Sequence, residues 1–420
     1  MKADARKPFK VQPVCLVGDR SSFLSPDGLG FVDIEDRAEQ ERRTSEILSH
    51  LAMDLADKVL VRSESDLLRL DTGADVFLVF VHCMHKFSAL EALARTGIPL
   101  ILAGEEGAPG DAFDTYSSIA DCDNVHVAFS YDGIARRARV LRAAAYVRKA
   151  TVCVFDSGER SLDAAPWYRN PVVDGTLKTA YVDMEDFRRE LTRADTDEAE
   201  RLAKSWMEGA MVLEPTLQDV RQSAVLYLAM KSVIDGMGAE AAYVLWCGQF
   251  SELVGGKMCY AIAKLNETGY LTGCWRGENA APMMILHALS GKPVFFGEVH
   301  TYGGDVMAVR HCAVPCNMAA GPPVLRTWRG HEGTVTAYCE MPRGTVTVVN
   351  MGIGDRLVVL KGEVTETRDL GGENCRTTVM VQLHNPPAPR QFVSREMAMV
   401  YGDFVDDVLA VAGTLHIRSD

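Results

Sequence analysis

Up to about residue 312, short β-rich runs alternate with helix-length amphipathic stretches; from about Ala313 onward only strands and tight turns recur. No single layer architecture accommodates both rhythms, so the chain must build more than one kind of sheet. In the first 150 residues, strands are expected over 11–17, 58–62, 76–82, 99–103 and 126–129, with helices over 36–56, 87–96 and 132–148. Such alternation implies a parallel sheet covered on both faces. The first strand is not followed by GxGxxG, so the spacing gives no support for a dinucleotide site of the usual kind.

A second α/β block runs over 151–312. Its expected strands are 151–155, 242–246, 270–273 and 294–297, and its helices 216–235, 256–266 and 280–289. Within the first of these helices Val220, Ala224, Tyr227 and Ile234 recur at helical spacing. Beyond 313 come strands over 324–328, 335–339, 346–350, 357–360, 363–367 and 377–383, separated by Gly and Pro, the pattern of a small antiparallel barrel. The fold class is therefore α/β. We expect two Rossmann-like parallel-sheet domains (1–150 and 151–312), an antiparallel β domain (313–395), and a C-terminal strand and helix (396–420) that return to the second domain.

A length of 420 residues already calls for two or three domains. A net charge of −13 disfavours a general nucleic-acid binder. The one basic concentration, Arg136, Arg137, Arg139, Arg142, Arg148 and Lys149, has no interleaved aromatics and reads as a solvated helix face. The start MKADARKPFK has no apolar run behind it, and no stretch approaches the roughly 20 apolar residues of a membrane helix. Eleven scattered cysteines without a CxxC pair read as reduced thiols. The expectation is a cytoplasmic protein without membrane or nucleic-acid partners.

Open parallel sheets place ligands beyond the carboxyl ends of their strands. In the second block those ends carry Cys247, Gln249 and Glu252; Cys274, Arg276, Glu278 and Asn279; Glu298, His300 and Tyr302; and Arg310, His311 and Cys312. Singly, each has an ordinary reading. A Glu after a strand is usually a cap or a solvated residue, a buried Cys a small hydrophobe, and His287 within MMILHAL a core residue. Convergence from four neighbouring ends is what favours a pocket, with Glu298 and His311 in it. The HxxH pair His82 and His85 and the CxxxC pair Cys312 and Cys316 are weaker metal candidates.

The segment LTGCWRGENAAPMMILHALSGKPVFFGEVHTYGG (271–304) resembles the core of the L-fucose and L-arabinose isomerase-like superfamily. RHCAVP (310–315), HEGTVTAYCEMPRGTVTVVNMG (331–352), GENCRTTVMVQL (372–383) and MVYGDFVDDV (399–408) extend the resemblance in order, so that it covers about 240–420. The resemblance implies aldose–ketose interconversion of a small polar sugar. It also implies a divalent metal, usually Mn²⁺, held by a Glu, an Asp and a His, and a homo-oligomer, trimeric or hexameric. Counted from the Leu-Ser-Gly turn, those three ligands fall on Cys274, Glu298 and Glu396. Glu298 and Glu396 are thus the metal candidates, with Glu278 a substitute ligand. Cys274, Glu278, Glu298 and His311 are the catalytic candidates, and Gln249, Arg276, Asn279, His300 and Tyr302 the substrate-binding ones. Three readings follow: a metal-assisted isomerase; a metal-free lyase, epimerase or transferase working through Cys274; and a non-catalytic sugar-binding relative.

Overall fold

All six residues of Val11–Leu16 (β1) are buried, which suits a strand covered on both faces. The computed structural model describes residues 9–17, 21–24, 31–34, 37–51, 53–81, 87–103, 116–117, 119–128, 130–155, 177–212, 214–245, 247–275, 280–351, 356–372, 374–392 and 394–419. The chain divides into two units, Lys7–Ala145 and, with Met1–Arg6, Tyr146–Asp420.

In the first unit β1 is followed by a two-stranded hairpin, Ser21–Leu24 (β2) and Phe31–Ile34 (β3), and by Arg37–His50 (α1). Val59–Val61 (β4), Val76–Val81 (β5), Phe87–Ala94 (α2), Leu100–Ala103 (β6), Val125–Ala128 (β7) and Tyr131–Lys149 (α3) complete the order. The five strands β4-β1-β5-β6-β7 form one parallel sheet. The two-residue period of a strand divides its side chains between two cores. Val14, Leu16, Phe77 and Val79 pack with Leu90 and Leu93 of α2; Cys15, Val76, Leu78 and Phe80 pack with Ile134 and Leu141 of α3. Each such large side chain contributes about 2 kcal/mol of burial. Arg136, Arg139, Arg142, Arg148 and Lys149 are exposed, as a solvated helix face requires. His82 and His85 lie outside the described residues.

The second unit opens with a four-stranded parallel sheet. Its strands are Thr151–Phe155 (β8), Lys178–Val182 (β9), Ala241–Leu245 (β11) and Leu271–Trp275 (β12), in the order β12-β11-β8-β9. Met184–Arg193 (α4), Thr196–Glu208 (α5), the short strand Met211–Val212 (β10), Leu217–Gly236 (α6), Cys247–Val254 (α7) and Cys259–Glu267 (α8) come between them, and Ala280–Ser290 (α9) follows. Asp183 and Asp195 cap α4 and α5 through backbone N–H groups, and Thr216 with Asp219 forms a capping box on α6.

Beyond α9 the chain enters a closed antiparallel barrel of six strands. These are Phe295–Gly303 (β13), Val306–His311 (β14), Gly344–Met351 (β17), Arg356–Arg368 (β18), Thr377–Leu383 (β19) and Glu396–Tyr401 (β20). Their order is β17-β20-β13-β14-β19-β18, and β18 pairs back onto β17. Phe295, Met307, Val348, Leu360, Val379 and Met399 belong to one core with Val220 of α6 and Tyr260 of α8. Val324–Trp328 (β15) and His331–Tyr338 (β16) form a hairpin outside the barrel, joined by β10. Val405–Thr414 (α10) packs on α9 and β18, and Arg418–Ser419 (β21) adds to β18. Among the described residues no helix is long and apolar enough to cross a membrane.

Three sequence expectations change here. The strand near 294–297, read as a member of the central parallel sheet, is the start of β13. It runs on to Gly303 and pairs antiparallel with β14 and β20, so the expected boundary at 312–313 falls inside the barrel. The closing strand β20 likewise joins the barrel, not the central sheet. The expected strands 357–360 and 363–367 are one strand, because Gly362 is no turn. A Cβ there would lie 2.6 Å from Val381 Cγ1 and 2.8 Å from the Gln382 carbonyl, so the glycine admits a close neighbour.

Candidate functional site

Cys274 sits on β12, opposite Val244 of β11, and α7 opens at Cys247 just beyond β11. Phe250, fully buried against Phe155 and Phe187, anchors α7 to the sheet. The two thiols hydrogen-bond to one another. Their bond belongs to a directional chain. The Ala313 N–H donates to His311 Nδ1 at 2.9 Å, which leaves the proton of the neutral imidazole on Nε2. Burial holds His311 neutral, its pKa down at about 3. Nε2 then faces Cys274 Sγ at 3.5 Å, and the Cys274 thiol donates to Cys247.

Of the two thiols, Cys247 is therefore the one that ionises first. The hydrogen bond from Cys274 outweighs burial, and Lys257, Arg329 and the Gly248 N–H add to it, so the Cys247 thiol titrates below its usual range. Cys274 moves far the other way, through the same hydrogen bond and through burial, and stays a thiol. Cys247 is partly exposed while Cys274 is buried, so the more acidic thiol is also the reachable one.

Three further thiols adjoin the pair. Cys312, just past β14, hydrogen-bonds to Cys259 at the start of α8 and to Cys375 ahead of β19. Hydrogen bonding to Cys259, with burial, pushes Cys312 up, and hydrogen bonding to Cys312, with burial, does the same to Cys375. Cys316 bonds instead to Cys339, so the CxxxC pair is split between two clusters.

Positive charge reaches Cys247 from two residues that share one ring. Lys257 Nζ lies 4.4 Å and Arg329 Cζ 4.7 Å from the centroid of Trp328. Trp328 pairs with His331 across the β15–β16 hairpin, so the loop between them is only Arg329 and Gly330, at φ +52° and +78°. Both-positive φ is the backbone of a tight twisted hairpin, where Asn or Gly is the usual first residue; Arg there costs about 1 kcal/mol. The hairpin is braced by Glu214, which accepts from the Thr327 N–H at 2.8 Å, the Thr327 hydroxyl at 2.6 Å and Arg326 Nε at 2.5 Å. Arg376, 3 % exposed, donates to the Thr327 carbonyl and faces Glu214 and Asp369. Burial opposes ionisation of Glu214, but these donors outweigh it and bring its pKa to about 2.

Of the residues singled out in the sequence, Cys274 and His311 meet directly. Glu298 and Glu396 face one another across β13 and β20. Glu298 is taken up by Arg310 at 3.1 Å and Arg395 at 2.6 Å, and Glu396 is buried. His300 is exposed. Tyr302 donates its hydroxyl to the Pro387 carbonyl and packs edge-on against Phe392, a structural anchor. Arg276, Glu278, Asn279 and the side chain of Gln249 lie outside the described residues. Among the described residues no group of three or more His, Cys, Asp or Glu side chains is arranged to hold a metal ion. With guanidinium groups on Glu298 and a thiol at Cys274, the donor set does not fit Mn²⁺, which prefers free oxygens. Cys259, Arg329 and Cys375 escaped the sequence reading. The only local signal was an Arg-Gly pair between two strands, where the turn ordinarily calls for Asn-Gly. No protein-family model matches the chain, and no curated protein matches it.

Proposed function

We propose that the chain is a carbohydrate-active enzyme, related in fold to the sugar isomerases through two Rossmann-like sheets and a barrel, that interconverts an aldose and a ketose through an enediol with a thiolate as base. The observation that carries the reading is the chain of donors from Ala313 through His311 and Cys274 to Cys247. It makes Cys247 the more acidic of two adjacent thiols, with Cys274 as the proton donor beside it.

In the forward step the Cys247 thiolate takes the proton from C2 of the aldose. The C–H electrons become the C1–C2 double bond, and the carbonyl oxygen takes up a proton, for which the Cys274 thiol is the adjacent source. The enediol collapses when the O2 proton returns to Cys274 and Cys247 gives its proton to C1. Lys257 and Arg329 favour ionisation of Cys247 through their charge. Adjacent thiols serve one face of the substrate, which suits a 1,2-shift; epimerisation by two bases needs groups on opposite faces.

The test is incubation with a panel of aldoses and ketoses in D₂O containing a chelator, with deuterium at C1 and C2 followed by NMR. The expected result is exchange that persists in chelator and disappears in Cys247→Ser at unchanged melting temperature. Exchange that requires Mn²⁺ and survives Cys247→Ser would return the protein to metal-assisted chemistry, and binding of sugars without exchange would make it a binding protein.

A further inference from the structure

The chain carries an excess of acidic residues, 57 against 44 basic ones, so carboxylates are plentiful as partners for its cations. Arg310, Arg326, Arg376 and Arg395 around the site all have one. Among the described residues Lys257 and Arg329 have no ion pair, and the charged group of each lies over the Trp328 ring. Arg329 Nε is buried without any hydrogen-bond partner. Two like charges held against one ring repel each other, and a buried donor left unbonded is costly. The backbone adds to that cost, because Arg329 is one of only two non-glycine residues at positive φ among the described residues. A guanidinium with no ion pair among the described residues, on a strained hairpin tip locked by the Glu214 and Arg376 network, is a group suited to hold an anion.

We infer that Lys257 and Arg329 form an anion subsite, and that the substrate is a polyhydroxy compound bearing an oxyanion, a phosphate ester or a carboxylate. The polyhydroxy part rests on the isomerase reading above; the anion part does not. A guanidinium fork matches a two-oxygen edge, and the ammonium supplies a second charge on the other side of Trp328's reach. The subsite would fix the far end of the sugar chain while its carbonyl end lies at the thiol pair.

The experiment is calorimetric titration of the intact protein with inorganic phosphate and, separately, with glucuronate, at constant ionic strength. Two variants accompany it, Lys257→Gln and Arg329→Asn. Asn is favoured in this hairpin position, so Arg329→Asn removes the charge while relaxing the backbone, and its loss of binding cannot be blamed on a collapsed loop. Saturable binding by the wild type, weakened about tenfold or more in each variant, is the expected result. Phosphate without glucuronate assigns a phosphate ester, and glucuronate without phosphate assigns a carboxylate. Wild-type protein that binds neither, or variants that bind as the wild type does, overturn the inference. Deuterium exchange on neutral sugars with no anion binding would sink the subsite alone. Anion binding without exchange on any sugar would sink the isomerase reading alone.

Discussion

His311 Nε2 and Cys274 Sγ are 3.5 Å apart, and the other ring nitrogen of His311 already accepts the Ala313 N–H. The imidazole is thus a donor toward sulfur and has no free lone pair to act as base. Its burial has a signature in acid. The unfolded chain takes up a proton near pH 6.5 and the folded chain only near pH 3, so stability falls as pH drops through that window. The share due to His311 is on the order of 3 kcal/mol between pH 7 and pH 4. Denaturation of wild type and His311→Asn across that range measures it: the variant should show a shallower loss. A ring resonance of His311 titrating near 6.5 would contradict the assignment.

Cys247 should be the fastest cysteine to alkylate. Its thiol titrates below the usual range because Cys274 donates to it, so replacing that donor with Cys274→Ala raises its pKa and lowers the thiolate fraction at neutral pH. Iodoacetamide labelling at pH 7, resolved by peptide mass, should slow at Cys247 in the variant. Equal rates in the two proteins would show that the thiol pair does not share the proton.

Glu214 holds the hairpin through Thr327 and Arg326 and partly neutralises the buried Arg376. Glu214→Gln should cost about 2 kcal/mol in chemical denaturation, since it weakens three charge-assisted contacts and leaves Arg376 with Asp369 alone. Its folded pKa of about 2 lies below the ordinary 4.5, so the stabilisation is complete above pH 4.5 and is lost as pH falls toward 2. The variant should therefore differ from wild type at pH 6 and converge with it at strongly acidic pH.

Two glycines separate close packing from backbone freedom. Gly362→Ala drives a methyl into Val381 and the Gln382 carbonyl and should cost about 2 kcal/mol or more. Gly413→Ala adds a methyl in open space at an exposed position of α10 and should gain about 0.5–1 kcal/mol. Thermal denaturation of the pair decides whether the barrel is as tightly closed as its register indicates.

Local periodicity carried much of the fold. The runs at 76–81 and 100–103 are apolar on both faces, and β5 and β6 lie where the pattern puts them. What a local pattern lacks is the identity of a strand's partner. The helix over 280–290 and the strand after it read as one more βα step because α9 is apolar throughout, yet β13 leaves for the barrel. The site shows the same divide. Cys274 and His311 stand out as polar residues at strand ends, but the acidity of Cys247, set first by Cys274, is also helped by Arg329, 82 positions away along the chain and brought near by a hairpin. Arg376, 3 % exposed, gave no hint of burial, since an arginine between Cys375 and Thr377 looks like any loop cation until its carboxylates are in place.

The barrel's last strand fixes when it can exist. β20 fills the gap between β17 and β13, and it is made from residues 396–401, after the five other barrel strands. Until the ribosome has released those residues, β13 and β17 each present an unpaired edge, and with them the strand that bears Glu298. Closure of the barrel therefore waits for the last of its six strands and has long loops to close, slow by topology, and a chain truncated before Glu396 is left with two sticky edges where a closed wall should be.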